Sequence, residues 1–358
     1  MNSLILIAAG GTGGHIFPGL AVAEEIVARA TPVRVEFVGS TAPLGLERKI
    51  VPKAGLKLHL LPVLPLNTPS WVARLRGLAL LPWGLVRAFA LLLKDRPSAV
   101  LGIGGYASGP LVLMASLLRI PTVLLEPNAI PGFTNRVLKP FVRRAACAFE
   151  ATLPRFGNKG VLTGNPVRSS FKALPPRSHA RPLQLLCFGG SQGSRILSEA
   201  LVRAIPNLPS EDALTIVHQT GPAQWEQIEA AYKKAGRAAR VVPFIDDMGE
   251  AFAAADLVLC RAGATTLAEL TVAGKAAILV PLRSAAEDHQ TWNAKMMVEA
   301  GAAVMIAEND LATLGAVVHG LIETPDRLRT LEGCARAIGK PDAAARVADL
   351  LTSWLKAA

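Results

Sequence analysis

The sequence predicts an α/β protein built from two Rossmann-like domains, each a parallel sheet wrapped by helices on both faces. Three observations carry this: apolar runs of strand length alternate with helical periods, a glycine loop follows the first run directly, and the same order of strand, glycine loop and helix returns at mid-chain. At 358 residues the chain exceeds one ordinary core, which fits two domains.

The first element, Leu4-Ile5-Leu6-Ile7-Ala8-Ala9, is continuously apolar, as a strand buried on both faces requires. Gly10-Gly11-Thr12-Gly13-Gly14 follows, and a helical period runs from about residue 17 to residue 30. The second copy is Leu183-Gln184-Leu185-Leu186-Cys187-Phe188, then Gly189-Gly190-Ser191-Gln192-Gly193, then an apolar-periodic helix over 195–205. Further strands are expected at 33–38, 98–103, 121–125, 145–149, 214–218, 239–243, 256–260, 276–280 and 303–306. The Pro-rich stretch 173–182 reads as a linker, with the change of domain near residue 166.

Composition narrows the partners. Hydrophobic residues at 51% and charged residues at 18% argue for folded material. A formal charge of +11 attracts nucleic acid, anionic lipid or phosphorylated small molecules. Aromatics are few and no nucleic-acid-binding motif is present, so no nucleic-acid partner is expected. Cys147, Cys187, Cys260 and Cys334 are widely spaced, without metal-ligand spacing, and read as reduced core residues of a cytoplasmic protein. The short apolar stretch at 4–9 leads into a motif and not into a cleavage site, so it does not read as a signal peptide.

A glycine loop after a strand lets backbone approach a phosphate, and the following helix offers free N–H groups at its positive end. The lesser reading of either loop alone is a tight turn that binds nothing. Neither has Gly-x-Gly-x-x-Gly spacing, which disfavours a nicotinamide-dependent oxidoreductase. Two such loops, one in each half, point to ligands at the carboxyl ends of the strands.

The motifs together resemble the MurG family. Gly10-Gly11-Thr12-Gly13-Gly14-His15-Ile16-Phe17-Pro18-Gly19 is similar to the family's opening. So are Gly102-Ile103-Gly104-Gly105-Tyr106, Gly164-Asn165-Pro166-Val167-Arg168, the loop at 189–193, and Arg261-Ala262-Gly263-Ala264-Thr265-Thr266-Leu267-Ala268-Glu269. The resemblance runs in order from residue 10 to about residue 295. It implies a GT-B architecture with the two sheets facing across a cleft, divided at 1–165 and 166–341, and a terminal helix over 342–358 crossing back onto the first domain. It implies an inverting transfer of N-acetylglucosamine from UDP-N-acetylglucosamine to the C4 hydroxyl of the muramyl-pentapeptide on undecaprenyl pyrophosphate (lipid I), giving lipid II. Neither a metal nor a cofactor is expected.

Site residues follow from the resemblance, position by position. The helix beginning at Ala264 would present its N-terminus to the nucleotide pyrophosphate, with Thr265 and Thr266 as donors, Leu267 and Ala268 in the same turn, and Glu269 gripping the ribose hydroxyls. Uracil would be read by backbone around Ile245. Ser191 would donate to the pyrophosphate, Arg168 would add charge, and Gln290 would read sugar hydroxyls. In the first half, Thr12, Gly13, Gly14 and Asn128 are similar to donor-contacting positions. His15 is the expected general base and Glu126 a second candidate, although Glu126 beside Pro127 also reads as a turn-fixing side chain. Leu125-Glu126-Pro127-Asn128 departs from the family's usual His-Glu-Gln-Asn, which leaves His15 and Glu126 as the obvious titratable groups there.

Residues 70–96 mix apolar and aromatic side chains with cations at the margins. The longest uncharged run, 77–86, is too short to span a bilayer and contains Pro82. Trp71, Leu75, Leu78, Trp83 and Arg87 therefore form an expected surface patch that meets anionic inner-leaflet lipid, with Arg136, Lys139, Arg143 and Arg144 extending it. The bland alternative is an ordinary helix packed on its own sheet. Together these readings expect a peripheral protein on the cytoplasmic face of the bacterial inner membrane. The rivals are a UDP-sugar epimerase, a glycolipid-forming transferase, and a non-catalytic scaffold of the wall-synthesis machinery.

Overall fold

The computed structural model describes residues 3–29, 33–42, 45–65, 70–172, 174–283 and 288–355. Ala173 of the expected linker, Ala30 of the expected first helix and residues 356–358 of the expected terminal helix lie outside them. The chain forms two compact units, Met1–Arg168 with Lys340–Ala358, and Ser169–Gly339.

The first unit opens with β1 (Ser3–Ala8), α1 (Gly13–Ala28), β2 (Val33–Ser40), α2 (Glu47–Lys53), β3 (Lys57–Leu61) and α3 (Trp71–Asp95). It continues with β4 (Ala99–Gly102), α4 (Ser108–Leu117), β5 (Thr122–Glu126), α5 (Phe133–Leu138), β6 (Arg144–Cys147), α6 (Leu153–Phe156) and β7 (Gly160–Leu162). The strands form one parallel sheet in the order β3-β2-β1-β4-β5-β6-β7. The chain winds outward from β1 in one direction and from β4 in the other, so the switch point lies between them.

Alternation along β1 explains why a continuous apolar run is needed. Ile5 and Ile7 face a layer made by Ile16, Val22 and Ile26 of α1, whereas Leu4 and Leu6 face Ala88 and Leu92 of α3 and Leu111 of α4. Two strands escaped the sequence reading. β3 carries Lys57 and His59 and lies at the sheet edge, and β7 has only three residues, so neither shows a buried strand's apolar run. α1 also starts at Gly13, four residues before the apolar period begins, because first-turn N–H groups need no side chain to be helical.

The second unit contains β8 (Leu183–Phe188), α7 (Arg195–Ala204), β9 (Leu214–Gln219), α8 (Trp225–Lys234), β10 (Arg240–Val242), α9 (Met248–Ala254) and β11 (Leu257–Cys260). Next come α10 (Ala264–Ala273), β12 (Ala276–Leu279), α11 (His289–Glu299), β13 (Val304–Met305), α12 (Leu314–Ile322) and α13 (Pro325–Ile338). Its parallel sheet runs β10-β9-β8-β11-β12-β13, with the switch point between β8 and β11. The Pro-rich stretch is not a loose connector. Asp256, fully buried, accepts from Arg177 Nε at 3.2 Å and contacts His179 Nδ1 at 3.0 Å, which pins the stretch to the second unit.

The last helix, α14 (Ala343–Thr352), belongs to the first unit. Val347, Ala348 and Leu351 enter the layer around α1, and Arg29 of the segment after α1 bonds Asp349 at 2.6 Å and the Ala345 carbonyl at 3.0 Å.

Helix α3 buries only a thin stripe, Gly77, Gly84, Ala88 and Leu92. Gly84 has no room for a side chain, since a Cβ there would meet Val63 Cγ1 at 2.5 Å. Trp71 (71% exposed), Leu75, Leu78, Trp83, Val86, Phe89 and Leu93 face outward. The uncharged run at 77–86 is short, but the whole helix has 25 residues and an 18-residue mean hydropathy of 1.5. Among the described residues it is the helix long and apolar enough to cross a membrane by length and composition.

Three cysteines, Cys147, Cys187 and Cys260, are buried, and Cys334 is half-buried. Burial, with the nearby Glu126 charge, pushes the Cys147 thiol up to about 12, so it is unreactive near neutrality.

Between β9, α7 and α8, His218 is 1% exposed and bonds Ser198 Oγ and Tyr232 Oη, both at 3.2 Å. Burial lowers its pKa from 6.5 to about 4. Between those values the unfolded chain holds the extra proton. The stability supplied by the neutral imidazole is therefore present above about pH 6.5 and lost as pH falls towards 4. Denaturant unfolding of the second unit should lose about 3 kcal/mol over that window, and His218→Gln should flatten the loss; an unchanged slope in the variant contradicts the assignment.

Candidate functional site

The expected residues follow carboxyl ends of strands: Thr12 to His15, Ser191 and the first turn of α10 lie beside the switch points, whereas Ile245 follows edge strand β10 and Arg168 follows edge strand β7. In the first unit, loop 10–14 follows β1 and a second glycine loop follows β4. Gly11, Gly104 and Gly105 have φ of 88°, 107° and 75°, which side chains rarely adopt. A Cβ on Gly105 would meet the Gly10 carbonyl oxygen at 2.7 Å, and one on Gly104 would meet His15 Nε2 at 3.2 Å. His15, in the first turn of α1, is thus held between the two loops. Its Nδ1 lies 3.3 Å from the Gly10 carbonyl oxygen and 3.4 Å from Thr12 Oγ1. Ser108, fully buried, joins the loops from beneath by donating to the Ala8 and Gly104 carbonyls and accepting from Gly104 N–H.

A buried carboxylate that sequence reasoning did not single out also holds loop 10–14. Glu47, 0% exposed, accepts from Gly11 N–H at 3.0 Å, from Ser40 N–H at 3.1 Å and from Ser40 Oγ at 3.3 Å. In sequence it sits beside Arg48 and Lys49 and reads as solvated.

Glu126, 1% exposed, is surrounded by donors. Oε1 accepts from Asn128 N–H and Asn128 Nδ2, and Oε2 accepts from Gly132 N–H at 3.0 Å and from Asn135 Nδ2 at 2.8 Å. Burial raises its pKa, against the lowering effect of these bonds. These contacts shape turn 127–132 and orient the half-buried Asn128. Thr152 holds the same turn through the Asn128 and Ala129 carbonyls, each at 3.0 Å. Arg168, expected with the second half, closes the first unit instead: its guanidinium stacks 4.4 Å above the Phe17 ring of α1.

In the second unit, loop 189–193 follows β8, and Ser191 is exposed at its tip. Gly193 (φ 73°) touches the Thr220 carbonyl, and Gly221 (φ 83°) touches the Gln192 carbonyl, so the loops after β8 and β9 clasp backbone to backbone. Ser194 caps α7 and accepts from Arg261 Nε at 3.1 Å and Nη2 at 2.8 Å. Arg261 also donates to the Val280 carbonyl and pairs with Glu308 at 2.7 Å. One nearly buried guanidinium therefore ties the ends of β8, β11 and β12, a role its motif did not reveal.

Helix α10 begins after extended Gly263, with Ala264, Thr265 and Thr266 partly exposed in its first turn. The positive end of its dipole lies at that turn, where an anion is favoured. Leu267 is a core residue at 1% exposure, so it can offer a ligand only backbone, whereas Ala268 is half-buried. Glu269 is 5% exposed, on the inner side of the helix. Gln290 Oε1 accepts from Leu282 N–H at 3.0 Å, which fixes the amide. Ile245 is partly buried beside Phe244, which is 52% exposed, and Asp247 caps α9 through Glu250 N–H.

The fold also joins Glu36, His59 and Asp95, whose ligand-type atoms lie within 4.8 Å of one another, a grouping without any spacing signal in the sequence. Glu36 already contacts His59 Nε2 at 2.7 Å, Lys57 at 3.2 Å and Arg34 at 3.6 Å, so it is neutralised by ion pairs.

The glycosyltransferase family 28 N-terminal domain matches residues 5–147, and the family 28 C-terminal domain matches residues 184–347. A UDP-N-acetylglucosamine--N-acetylmuramyl-(pentapeptide) pyrophosphoryl-undecaprenol N-acetylglucosamine transferase of Anaeromyxobacter sp. (strain Fw109-5) is 47% identical over 359 residues, covering 98% of this chain and 93% of the relative. The crystal structure of Acinetobacter baumannii MurG is similar with a TM-score of 0.78 and 32% identity, covering 98% and 99% of the two chains. A UDP-GlcNAc 2-epimerase from Neisseria meningitidis, bound to UDP-GlcNAc, has a TM-score of 0.68 at 12% identity, covering 99% and 100%; this likeness is of fold alone.

Gly190 and Gly193 separate backbone strain from collision. Both have positive φ, but an added Cβ meets nothing within 4 Å at Gly190 and strikes the Thr220 carbonyl at Gly193. Gly193→Ala should lower the second unit's stability by more than the roughly 1–3 kcal/mol that backbone strain alone costs, and Gly190→Ala should stay within it. Chemical denaturation compares them, and equal losses would contradict the clasp.

Proposed function

Because the chain belongs to the MurG family of family 28 glycosyltransferases, we propose that it moves N-acetylglucosamine from UDP-N-acetylglucosamine onto the muramyl sugar of undecaprenyl-pyrophosphoryl-muramyl-pentapeptide. The product is the lipid II precursor of peptidoglycan. The observation that carries the site assignment is the pairing, around the switch point of the second unit, of loop 189–193 with the N-terminus of α10. That is where an α/β sheet offers backbone N–H groups to a pyrophosphate.

In this reading the second unit holds the donor. Ser191 and the first turn of α10, Ala264 to Ala268, face the pyrophosphate, Glu269 takes the ribose hydroxyls, backbone around Ile245 reads uracil, and Gln290 reads the sugar. In the first unit, Thr12, Gly13, Gly14 and Asn128 offer backbone and amide groups to the sugar end of the substrate, and Arg168 supplies positive charge. His15 takes the proton from the acceptor C4 hydroxyl. The oxygen then bonds to the anomeric carbon as the bond to the UDP phosphate oxygen breaks, and the configuration inverts. Helix dipoles and Arg168 stabilise the departing UDP without a metal. Four donors and 1% exposure favour Glu126 as the residue that sets the turn carrying Asn128.

The acceptor's lipid calls for a membrane face, and the outward side of α3 supports one. Trp71, Leu75, Leu78 and Trp83 are each more than half exposed. The buried stripe of Gly77, Gly84, Ala88 and Leu92 packs the opposite side onto the first unit, which favours a helix lying along the surface with Arg87 among anionic headgroups. In this reading the protein sits peripherally on the cytoplasmic face of the inner membrane.

The test is transfer of labelled sugar from UDP-N-acetylglucosamine to a short-chain lipid I analogue, with UDP-glucose and UDP-N-acetylgalactosamine alongside. Product should form from the first donor, and His15→Ala should lower turnover by about 10²–10⁴ while sparing UDP binding. Epimerised nucleotide sugar as the product, or near-normal turnover in the variant, would overturn the activity or the base respectively. The protein should float with anionic vesicles at low salt, and Trp71→Ser with Trp83→Ser should abolish flotation; a wild-type protein left in the pellet fraction discards the membrane face.

A further inference from the structure

We propose that Glu47 is a positioning residue for His15, acting through the peptide group that joins Gly10 to Gly11. The inference rests on the reading of His15 as general base. The two ends of that one peptide face two side chains: Gly11 N–H donates to Glu47 Oε2 at 3.0 Å, and the Gly10 carbonyl oxygen lies 3.3 Å from His15 Nδ1. An ionised carboxylate is a strong acceptor, and hydrogen bonds in series polarise one another. Pulling on the amide proton leaves the carbonyl oxygen more negative and therefore a better acceptor for Nδ1–H. With the proton held on Nδ1, Nε2 is the nitrogen that accepts, as a base at that position requires.

The relay is rigid at every link. The Glu47 carboxylate cannot swing away: added Cβ atoms on Gly10, Gly39 and Gly45 would come within 2.9, 2.7 and 2.8 Å of its side chain, and Ser40 N–H and Oγ hold Oε1. The Gly10 carbonyl is covered by Gly105, and Nε2 is turned towards Gly104. This arrangement has the logic of a carboxylate that orients an imidazole, with a peptide group inserted between them. Among the described residues, Tyr106 and Arg168 also lie near this loop: the Tyr106 ring lies 3.5 Å from the Cβ position of Gly11, and Arg168 stacks on Phe17. Burial raises the Tyr106 pKa, so Tyr106 is neutral near pH 7 and supplies no negative charge. The competing partner of Nδ1 is Thr12 Oγ1 at 3.4 Å.

Nitrogen–proton correlation spectra of the His15 ring, with Glu47→Gln and Thr12→Val, test the relay. Wild type and Thr12→Val should both carry the proton on Nδ1 when neutral. In Glu47→Gln the His15 titration should move to lower pH. The low-pH limb of its turnover profile should move the same way, with kcat down about ten-fold, a part of what a positioned base supplies, and KM for UDP-N-acetylglucosamine within two-fold. A proton on Nε2 in wild type, loss of the Nδ1 tautomer in Thr12→Val, or an unmoved His15 titration in Glu47→Gln would each overturn the proposal. The wild-type and Thr12→Val spectra decide even where Glu47→Gln does not fold. A shifted ring titration together with a fully active His15→Ala would keep the relay and remove the base.

Discussion

The local architecture of the loops in each unit depends on close approach of one stretch of backbone to another where no Cβ fits. Gly105 against the Gly10 carbonyl, and Gly193 and Gly221 against the Thr220 and Gln192 carbonyls, bring loops from neighbouring strands into van der Waals contact at the carboxyl end of a parallel sheet. A side chain at any of these points would separate the loops and lose the register between them. The result is a surface of peptide groups with fixed dipoles, which suits phosphate and sugar hydroxyls because nothing has to reorganise when charge arrives.

Charge buried just below those loops keeps them in place. Glu47 and Glu126 act on turns of the first unit and Arg261 on the loops of the second, each through several bonds from an almost dry position, and Glu308 pairs with Arg261. A buried charge is tolerated when its partners satisfy it, and removing one partner is costly because the other is left without compensation.

Helix α3 follows the opposite rule. It buries a stripe of three small residues and Leu92 and leaves most of its large ones outside, the reverse of a helix that serves its own core. Such a face suits contact with a second apolar phase, which is what the proposed membrane face requires.

Much of this was legible along the chain. The parallel α/β plan could be read because strands buried on both faces must be continuously apolar, and β1 and β8 are. The glycine loops and the first turn of α10 were legible as turns and a helix start because such features are local in sequence. Edge strands β3 and β7 were not, since an edge needs no apolar run. The hydrogen-bonded setting of Glu126 was half-visible, because Asn128 and Gly132 are near in sequence while Asn135 lies nine residues on. Arg168 was grouped with the wrong half because its stacking on Phe17 links positions far apart in the chain. Glu47 was invisible: its bond to Gly11 spans 36 residues, and its neighbours Arg48 and Lys49 advertise a solvated helix. The sequence alone thus determined the fold class, the family and the loops whose chemistry is carried by contiguous backbone. Only the tertiary structure decided which distant side chains hold those loops, because burial and hydrogen bonding between remote residues follow from packing and leave no periodic trace in the chain.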